Sequence, residues 1–107
     1  MTRPYSLNEV RLGGTIAVDP IARTREGKTV TELLLDVPDL EHGRQLLPLR
    51  VALWPGEVEM IGLPPKVGRV AIVTGTLERS WTEMQSARRT VAEVRAAKVN
   101  VMPGEMD

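Results

Sequence analysis

The sequence contains no cysteine and no phenylalanine, and it has a single histidine. The absence of cysteine excludes a disulfide scaffold and every thiolate metal site, and it suits a reducing compartment such as the cytoplasm. One histidine on its own argues against a zinc centre and against a histidine-based catalytic site. We therefore expect no enzyme activity, no bound metal and no other cofactor.

Aromatic residues are also scarce, with one tyrosine and two tryptophans among 107 residues. One of the tryptophans, Trp81, lies in the polar stretch GTLERSWTE, where the pattern of neighbours indicates solvent. A tryptophan that serves only a core normally has apolar neighbours at strand or helix spacing, whereas one that contacts a partner has surroundings of this kind. The sequence therefore predicts that Trp81 is a contact residue.

The chain lacks net charge and long apolar runs. Fourteen basic residues balance fourteen acidic ones, which does not favour a nucleic-acid binder, although eleven of the bases are arginine. Arginine suits phosphate and base contacts, but a GC-rich genome would enrich it as well. No segment approaches the roughly 20 apolar residues of a membrane span, and the N-terminal stretch lacks the apolar centre of a signal peptide. We expect a cytoplasmic protein that does not bind membranes.

The order of apolar and polar residues predicts an all-β chain. Residues 9–16 alternate strictly, with Val10, Leu12 and Ile16 on one face, which is typical of a half-buried strand. Further strand-like runs cover residues 29–37, 46–54, 67–81 and 90–102. The last run also fits helical spacing, but its position after a long strand and a polar loop favours a fifth strand. Residues 21–28 read as a polar connection, and residues 57–63 as one or two helical turns.

Five strands with a short helix between the third and the fourth are the layout of the OB fold, a small, partly open Greek-key barrel. We predict one such domain over residues 1–107, with its core at about residues 7–102. There is no internal repeat and no linker. The side chains expected inside the barrel are Val10, Leu12, Ile16, Val70 and Ile72.

Several segments share their residue pattern with a known family. Residues 8–20 have the pattern Asn-x-Val-x-Leu-x-Gly-x-Ile-x-x-Asp-Pro. The sequence RVALW ends the third predicted strand, and KVGRVAIVTGTLERSW forms the fourth. Arg89 and Glu93 give the pattern Arg-x-x-x-Glu at the entry to the fifth strand. In this order and spacing the segments resemble the bacterial single-stranded DNA-binding protein family. The resemblance spans roughly residues 8–102, which is almost the whole chain.

The resemblance implies binding of single-stranded DNA with little sequence preference, in replication, recombination or repair, usually by a homotetramer or a smaller homo-oligomer. In such proteins bases stack on aromatic side chains, and basic residues follow the phosphate backbone. The candidate stacking residues are Trp54 and Trp81. The candidate phosphate contacts are Arg11, Arg23, Arg50, Arg79, Arg88 and Arg89.

Two departures from the family pattern leave a second hypothesis open. Further stacking aromatics of the family are missing, with Pro48 and Thr90 near two of their positions, so binding should be weaker than in aromatic-rich relatives. The acidic tip that recruits other enzymes in the family is not found in the final VMPGEMD, so we expect no such recruitment. A paralogue, a phage or plasmid version and a bare domain all fit this observation. The alternative is an OB-fold module that oligomerises or docks on another protein, similar to primosomal replication protein N, with weak or lost DNA binding.

Overall fold

A computed structural model of the chain describes residues 7–39, 41, 44–45, 48–84 and 87–107, with the backbone alone at residues 39, 44–45, 80–84 and 87–91. The described residues form strands and turns, and no helix among them is long and apolar enough to cross a membrane. The strands are β1 (Val10–Ile16), β2 (Ile21–Arg25), β3 (Lys28–Asp36), β4 (Pro38–Asp39), β5 (Arg44–Gln45), β6 (Leu49–Leu53), β7 (Glu59–Gly62), β8 (Val70–Met84) and β9 (Ala87–Met102).

Five of these strands close into a barrel in the order β1-β8-β9-β6-β3. The ring closes where β1 pairs with β3, through Thr15 opposite Asp36 and Ile16 opposite Leu35. The neighbouring strands are antiparallel except for β6 and β9, which run parallel. The five barrel strands correspond to the five runs that the sequence predicts, and this topology confirms the OB fold.

The barrel interior agrees with the sequence prediction in β1 but not in β8. Ile16 is fully buried, and Val10 and Leu12 pack against the core. Val70 and Ile72 are only half-buried, because β8 turns the alternate residues inward. Residues 70–73 are all apolar, so their pattern has no period that could reveal the inward face. The buried core consists of Ile16, Leu33, Leu35, Val51, Leu53, Ala71, Val73, Val94, Ala96, Val99 and Val101.

The predicted helix between the third and fourth barrel strands is wrong. Residues 55–57 form a turn, and β7 then pairs in parallel with β9, from Glu59 opposite Lys98 to Gly62 opposite Val101. Gly62 has a φ of 84°, and a Cβ atom there would lie 2.1 Å from the carbonyl oxygen of Val101, so the position requires glycine. Tertiary pairing with β9 therefore decides the structure of this segment.

Two further segments contain more strand than the sequence predicts. Residues 21–25 form β2, which a turn at Glu26 and Gly27 connects to β3 as a hairpin. The hairpin of β8 and β9 continues to the pair Met84–Ala87, so most of the predicted polar tip is also strand. Trp81, Arg88 and Arg89 belong to this hairpin, where the structure describes the backbone alone.

Candidate nucleic-acid interface

The outer surface of β3 and β6 is unusually well covered for a barrel exterior. Alternate residues of both strands point into the barrel, as Leu33 and Val51 do, and their neighbours point outward. Of these outward residues, Val30, Ala52 and Trp54 form a second buried cluster. Apolar packing therefore occurs on the outside of these strands as well as inside the barrel.

Two buried carboxylates lie on this outer surface. Glu32 of β3 is 5% exposed and Glu93 of β9 is 3% exposed. Arg25 of β2 bridges them: its Nη1 donates to Oε1 of Glu93 at 2.6 Å, its Nη2 donates to Oε2 of Glu93 at 3.1 Å, and Nη2 also donates to Glu32. Because β6 separates β3 from β9, the Arg25 side chain reaches across two strands and ties the hairpin of β2 and β3 to β9.

Two more arginines join this ion-pair network. The Nε atom of Arg23 lies 2.9 Å from Oε1 of Glu32, and the Nε atom of Arg50 lies 3.2 Å from Oε2 of Glu93. We call Glu32, Glu93, Arg23, Arg25 and Arg50 the outer network. Its three guanidinium groups and two carboxylates leave one net positive charge. The Arg23 side chain remains 57% exposed, so it can bind an additional anion.

The ionisation of the outer network follows from its hydrogen bonds. Burial alone would raise the pKa of Glu32, but hydrogen bonds from Arg25 and Arg23 outweigh burial and hold this pKa below its ordinary value of 4.5. The hydrogen bond with Glu93, and a weaker one with Glu32, raise the pKa of Arg25 further above its ordinary value. Arg25 therefore keeps its charge at every working pH.

We expect Glu32 to make the protein less stable in acid. Its pKa is lower in the folded chain than the 4.5 of the unfolded chain, so its stabilisation is complete above pH 4.5 and is lost as the pH falls through the folded value. Urea denaturation at a series of pH values should show a shallower acid loss for Glu32→Gln than for the wild type. Equal pH dependence in the two proteins would contradict this account of Glu32.

A groove of about 360 Å³ opens beside the outer network. Apolar side chains form much of its lining, and Arg23 and Arg50 bring positive charge to it. The residues that line it are Ile21, Arg23, Glu32, Leu34, Pro48, Leu49, Arg50 and Ala92. An apolar lining beside guanidinium groups fits a ligand that has flat apolar faces and anionic groups, as a single nucleic-acid strand has.

Trp54 does not offer the open stacking face that the sequence predicts. The side chain is only 8% exposed, and the guanidinium carbon of Arg95 lies 4.3 Å from the centre of its ring. Nη2 of Arg95 donates to Oε2 of Glu57 at 2.6 Å, and Nη1 lies 3.8 Å from Oε2 of Glu78. A cation–π contact is worth about 0.5–1 kcal/mol at an exposed site and about 2 kcal/mol when it is desolvated, and an exposed ion pair about 0.2–1 kcal/mol. These contacts together hold Arg95 over the ring by no more than a few kcal/mol.

The remaining predicted contact residues lie elsewhere. Arg11 lines a separate groove with Ile72, Thr74, Lys98 and Asn100, on the outer surface of β1, β8 and β9. Arg79 is exposed on β8, in register with Ala92. The structure therefore brings Arg23 and Arg50 together at the groove beside the outer network, and it does not bring Arg11 there.

Four residues of this surface are absent from the predicted contacts: Arg25, Glu32, Glu93 and Arg95. The sequence contains a signal for the two carboxylates, because each is flanked by apolar and threonine residues, in TVTELLL and in TVAEV. A lone carboxylate at such a position is rarely buried without a cationic partner. Nothing comparable marks Arg25, whose partner Glu93 is 68 residues away.

Within the described ranges, no group of three or more histidine, aspartate and glutamate side chains could hold a metal ion.

The sequence profile of the single-strand binding protein family matches residues 7–102. No curated protein sequence matches the chain.

The solved structures that share the fold include a PriB domain and an SSB. The dimeric N-terminal domain of PriB from Thermoanaerobacter tencongensis is 20% identical with a TM-score of 0.61, and the match covers 90% of this chain and 97% of that one. The Plasmodium falciparum SSB in complex with single-stranded DNA is 15% identical with a TM-score of 0.63, and the match covers 95% of this chain and 100% of that one. At these identities the similarity establishes the fold.

Proposed function

Because the chain belongs to the single-strand binding protein family, we propose that it binds single-stranded DNA on the outer surface of β2, β3, β6 and β9. Members of this family are binding proteins and not enzymes. The proposed role is to cover exposed single strands in replication, recombination or repair, in the cytoplasm. Stacking and phosphate contacts do not read base edges, so sequence preference should be small.

The observation that carries the proposal is the groove flanked by Arg23 and Arg50. The buried carboxylates of Glu32 and Glu93 fix the Nε atoms of these two arginines. A guanidinium group that is already oriented loses less side-chain entropy when it binds a phosphate. The apolar side chains between them supply a surface for the bases. The arginines Arg11, Arg79, Arg88 and Arg89 are proposed as further phosphate contacts.

Trp81 is proposed as the principal stacking residue. Its backbone lies in β8 opposite Thr90, on the hairpin that also carries Arg88 and Arg89. Stacking on one aromatic side chain contributes about 1–3 kcal/mol per base. With two tryptophans in the chain, affinity per protomer should be modest, and self-association would strengthen it by joining several binding surfaces.

We propose a homodimer or homotetramer, formed through β1. In the described chain, β1 pairs with β8 along Val10–Thr15, but its pairing with β3 is limited to Thr15 and Ile16. The second edge of residues 10–14 is therefore available for a strand of another copy, and an open strand edge favours such pairing. Sedimentation velocity should show an oligomer, and a stable monomer at micromolar concentration would contradict this assignment.

Fluorescence anisotropy of a labelled oligo-dT strand tests the proposed function. The anisotropy should rise to saturation as protein is added, and binding should weaken steadily as salt increases, because phosphate contacts release counterions. A duplex of the same length should bind more weakly, since its bases cannot stack on the protein. An unchanged anisotropy at micromolar protein and low salt would contradict the proposal.

Arg23→Ala should reduce the salt dependence of binding. Each phosphate contact to a single strand contributes about 0.7 to the slope of log K against log salt concentration, so the slope should fall by roughly this amount. Lys66→Ala is the matched control, because it removes one exposed positive charge from a loop that does not line the groove. A slope that changes equally in both variants would show that Arg23 does not contact phosphate.

One observation favours the second candidate function, a module that docks on another protein. The carboxylates of Glu32 and Glu93 already pair with three arginines, and Arg95 covers Trp54. These pairings reduce the charge and the aromatic surface available to DNA. The anisotropy titration separates the two functions, since a docking module without DNA binding leaves the oligonucleotide signal unchanged.

A further inference from the structure

We propose that Arg95 is a displaceable cover over a nucleobase subsite on Trp54, and that a single strand opens this subsite by displacing Arg95. The proposal rests on the proposed function, which it extends by naming how one contact is regulated. In the absence of DNA the guanidinium group occupies the ring face. When DNA binds, a base takes that face and the guanidinium group turns to a phosphate.

The Arg95 guanidinium group lies over the Trp54 ring, where a stacked nucleobase would lie. Its guanidinium carbon lies 4.3 Å from the centre of the Trp54 ring. A guanidinium group is planar and stacks on aromatic faces, as a nucleobase does. Val30 and Ala52 of the sheet pack against the same tryptophan, so Arg95 covers surface that these two residues leave open.

The indole N–H group of Trp54 is a second sign of a ligand. Nε1 is buried, and it has no hydrogen-bond partner within the described part of the chain. Buried donors in folded proteins are nearly always paired, and the indole nitrogen can only donate. A guanidinium group has donors only, so Arg95 cannot accept this hydrogen bond, whereas the carbonyl and phosphate oxygens of a nucleic-acid strand are acceptors.

The contacts that hold Arg95 are of a kind that DNA can replace. Glu57, its closest ionic partner, has a side chain that is 46% exposed, and the Arg95 side chain is 32% exposed. Ion pairs with this exposure are weak. A phosphate offers the guanidinium group an equivalent charged partner, while Glu57 returns to water. Displacement therefore leaves no buried charge without a partner.

The experiment uses Trp81→Phe protein, in which Trp54 is the only tryptophan. Acrylamide quenching of Trp54 emission measures how far the ring is covered, and oligo-dT anisotropy measures binding in the same samples. Glu57→Gln removes the closest ionic partner of Arg95. Glu59→Gln is the matched control. It removes an equal charge two residues along the chain, and the Glu59 carboxylate has no described contact with Arg95.

We expect weak quenching in the free parent protein and a fall in Trp54 emission when oligo-dT binds. Glu57→Gln should increase acrylamide quenching and tighten binding by about 1.4- to fivefold relative to Glu59→Gln, the factor that corresponds to the loss of one exposed ion pair. Arg95→Lys, which keeps the charge but cannot stack as a plane, should also increase quenching. It provides the same test if Glu57→Gln does not fold.

Binding of oligo-dT without any change in Trp54 emission would overturn the proposal and leave the proposed function intact. Equal quenching and equal affinity in Glu57→Gln and Glu59→Gln would overturn it as well, since Arg95 would then be a structural contact only. An anisotropy that never changes would contradict the proposed function and, with it, this extension.

Discussion

Replacing Glu93 with alanine should lower the free energy of unfolding by about 3 kcal/mol. Breaking a buried ion pair by removing one partner costs about 3–5 kcal/mol, and the lower end applies here because water reaches part of the arginines involved. Arg25 and Arg50 would lose the carboxylate that both of them contact. Water would compensate their charges only in part, because their side chains are 19% and 22% exposed. For a chain of this size the melting temperature should fall by roughly 12–20 °C.

Urea denaturation and calorimetry measure this effect, with Glu59→Ala as the control for removal of an exposed carboxylate. The control should change the free energy of unfolding by less than about 0.5 kcal/mol. A Glu93→Ala protein as stable as the control would mean that the outer network does not stabilise the barrel.

Trp81→Ala should weaken binding of a single strand by about five- to more than a hundredfold, which corresponds to the roughly 1–3 kcal/mol of one stacked base. The salt dependence should hardly change, because counterion release reports phosphate contacts and not stacking. The sequence predicts a side chain that faces solvent, so the free energy of unfolding should fall little. Anisotropy titrations at several salt concentrations measure the first two quantities.

Trp81→Phe is the matched control for stacking, because it keeps an aromatic face at the same position. It should retain most of the affinity that Trp81→Ala loses. A tryptophan with a structural role gives the opposite pattern, a clear fall in melting temperature with normal affinity in the protein that remains folded. That pattern would exclude Trp81 as a stacking residue.

The sequence is sufficient to predict the barrel but not every inward face. Strict alternation in β1 predicts correctly that Val10, Leu12 and Ile16 pack toward the core. In β8 an unbroken apolar run precedes an irregularity between Thr74 and Gly75. A period of two cannot be read from an unbroken run, and a bulge shifts the alternation along the strand.

Segments outside the five barrel strands are predicted poorly because long-range pairing determines them. Residues 57–63 have acidic and apolar residues that fit a short helix, but β9 offers an edge on which β7 forms. The strand β2 contains more polar than apolar residues, and four of its five residues are exposed. Hydrogen bonding to β3, and not burial, makes residues 21–25 a strand.

The candidate interface was predictable only in part, for a similar reason. Arg23 and Arg50 could be identified as candidate contacts from the sequence, because the family resemblance implies that basic residues follow the phosphate backbone. The partnership of Arg25 with Glu93 joins β2 to β9, so it exists only once the barrel has closed. The covering of Trp54 by Arg95 depends in the same way on the parallel register that sets Ala52 beside Arg95.

The most direct test of the central claim is a map of backbone amide chemical shifts in ¹⁵N-labelled protein as oligo-dT is added. If the single strand binds the outer surface of β2, β3, β6 and β9 and a base stacks on Trp81, the largest changes should lie in residues 21–25, 30–34, 49–54 and 92–95 and around Trp81. The amides around Arg11, Ile72 and Asn100 should change less, because Arg11 is the single phosphate contact proposed on that surface. Shifts confined to that second surface, or a spectrum that oligo-dT leaves unchanged, would contradict the account.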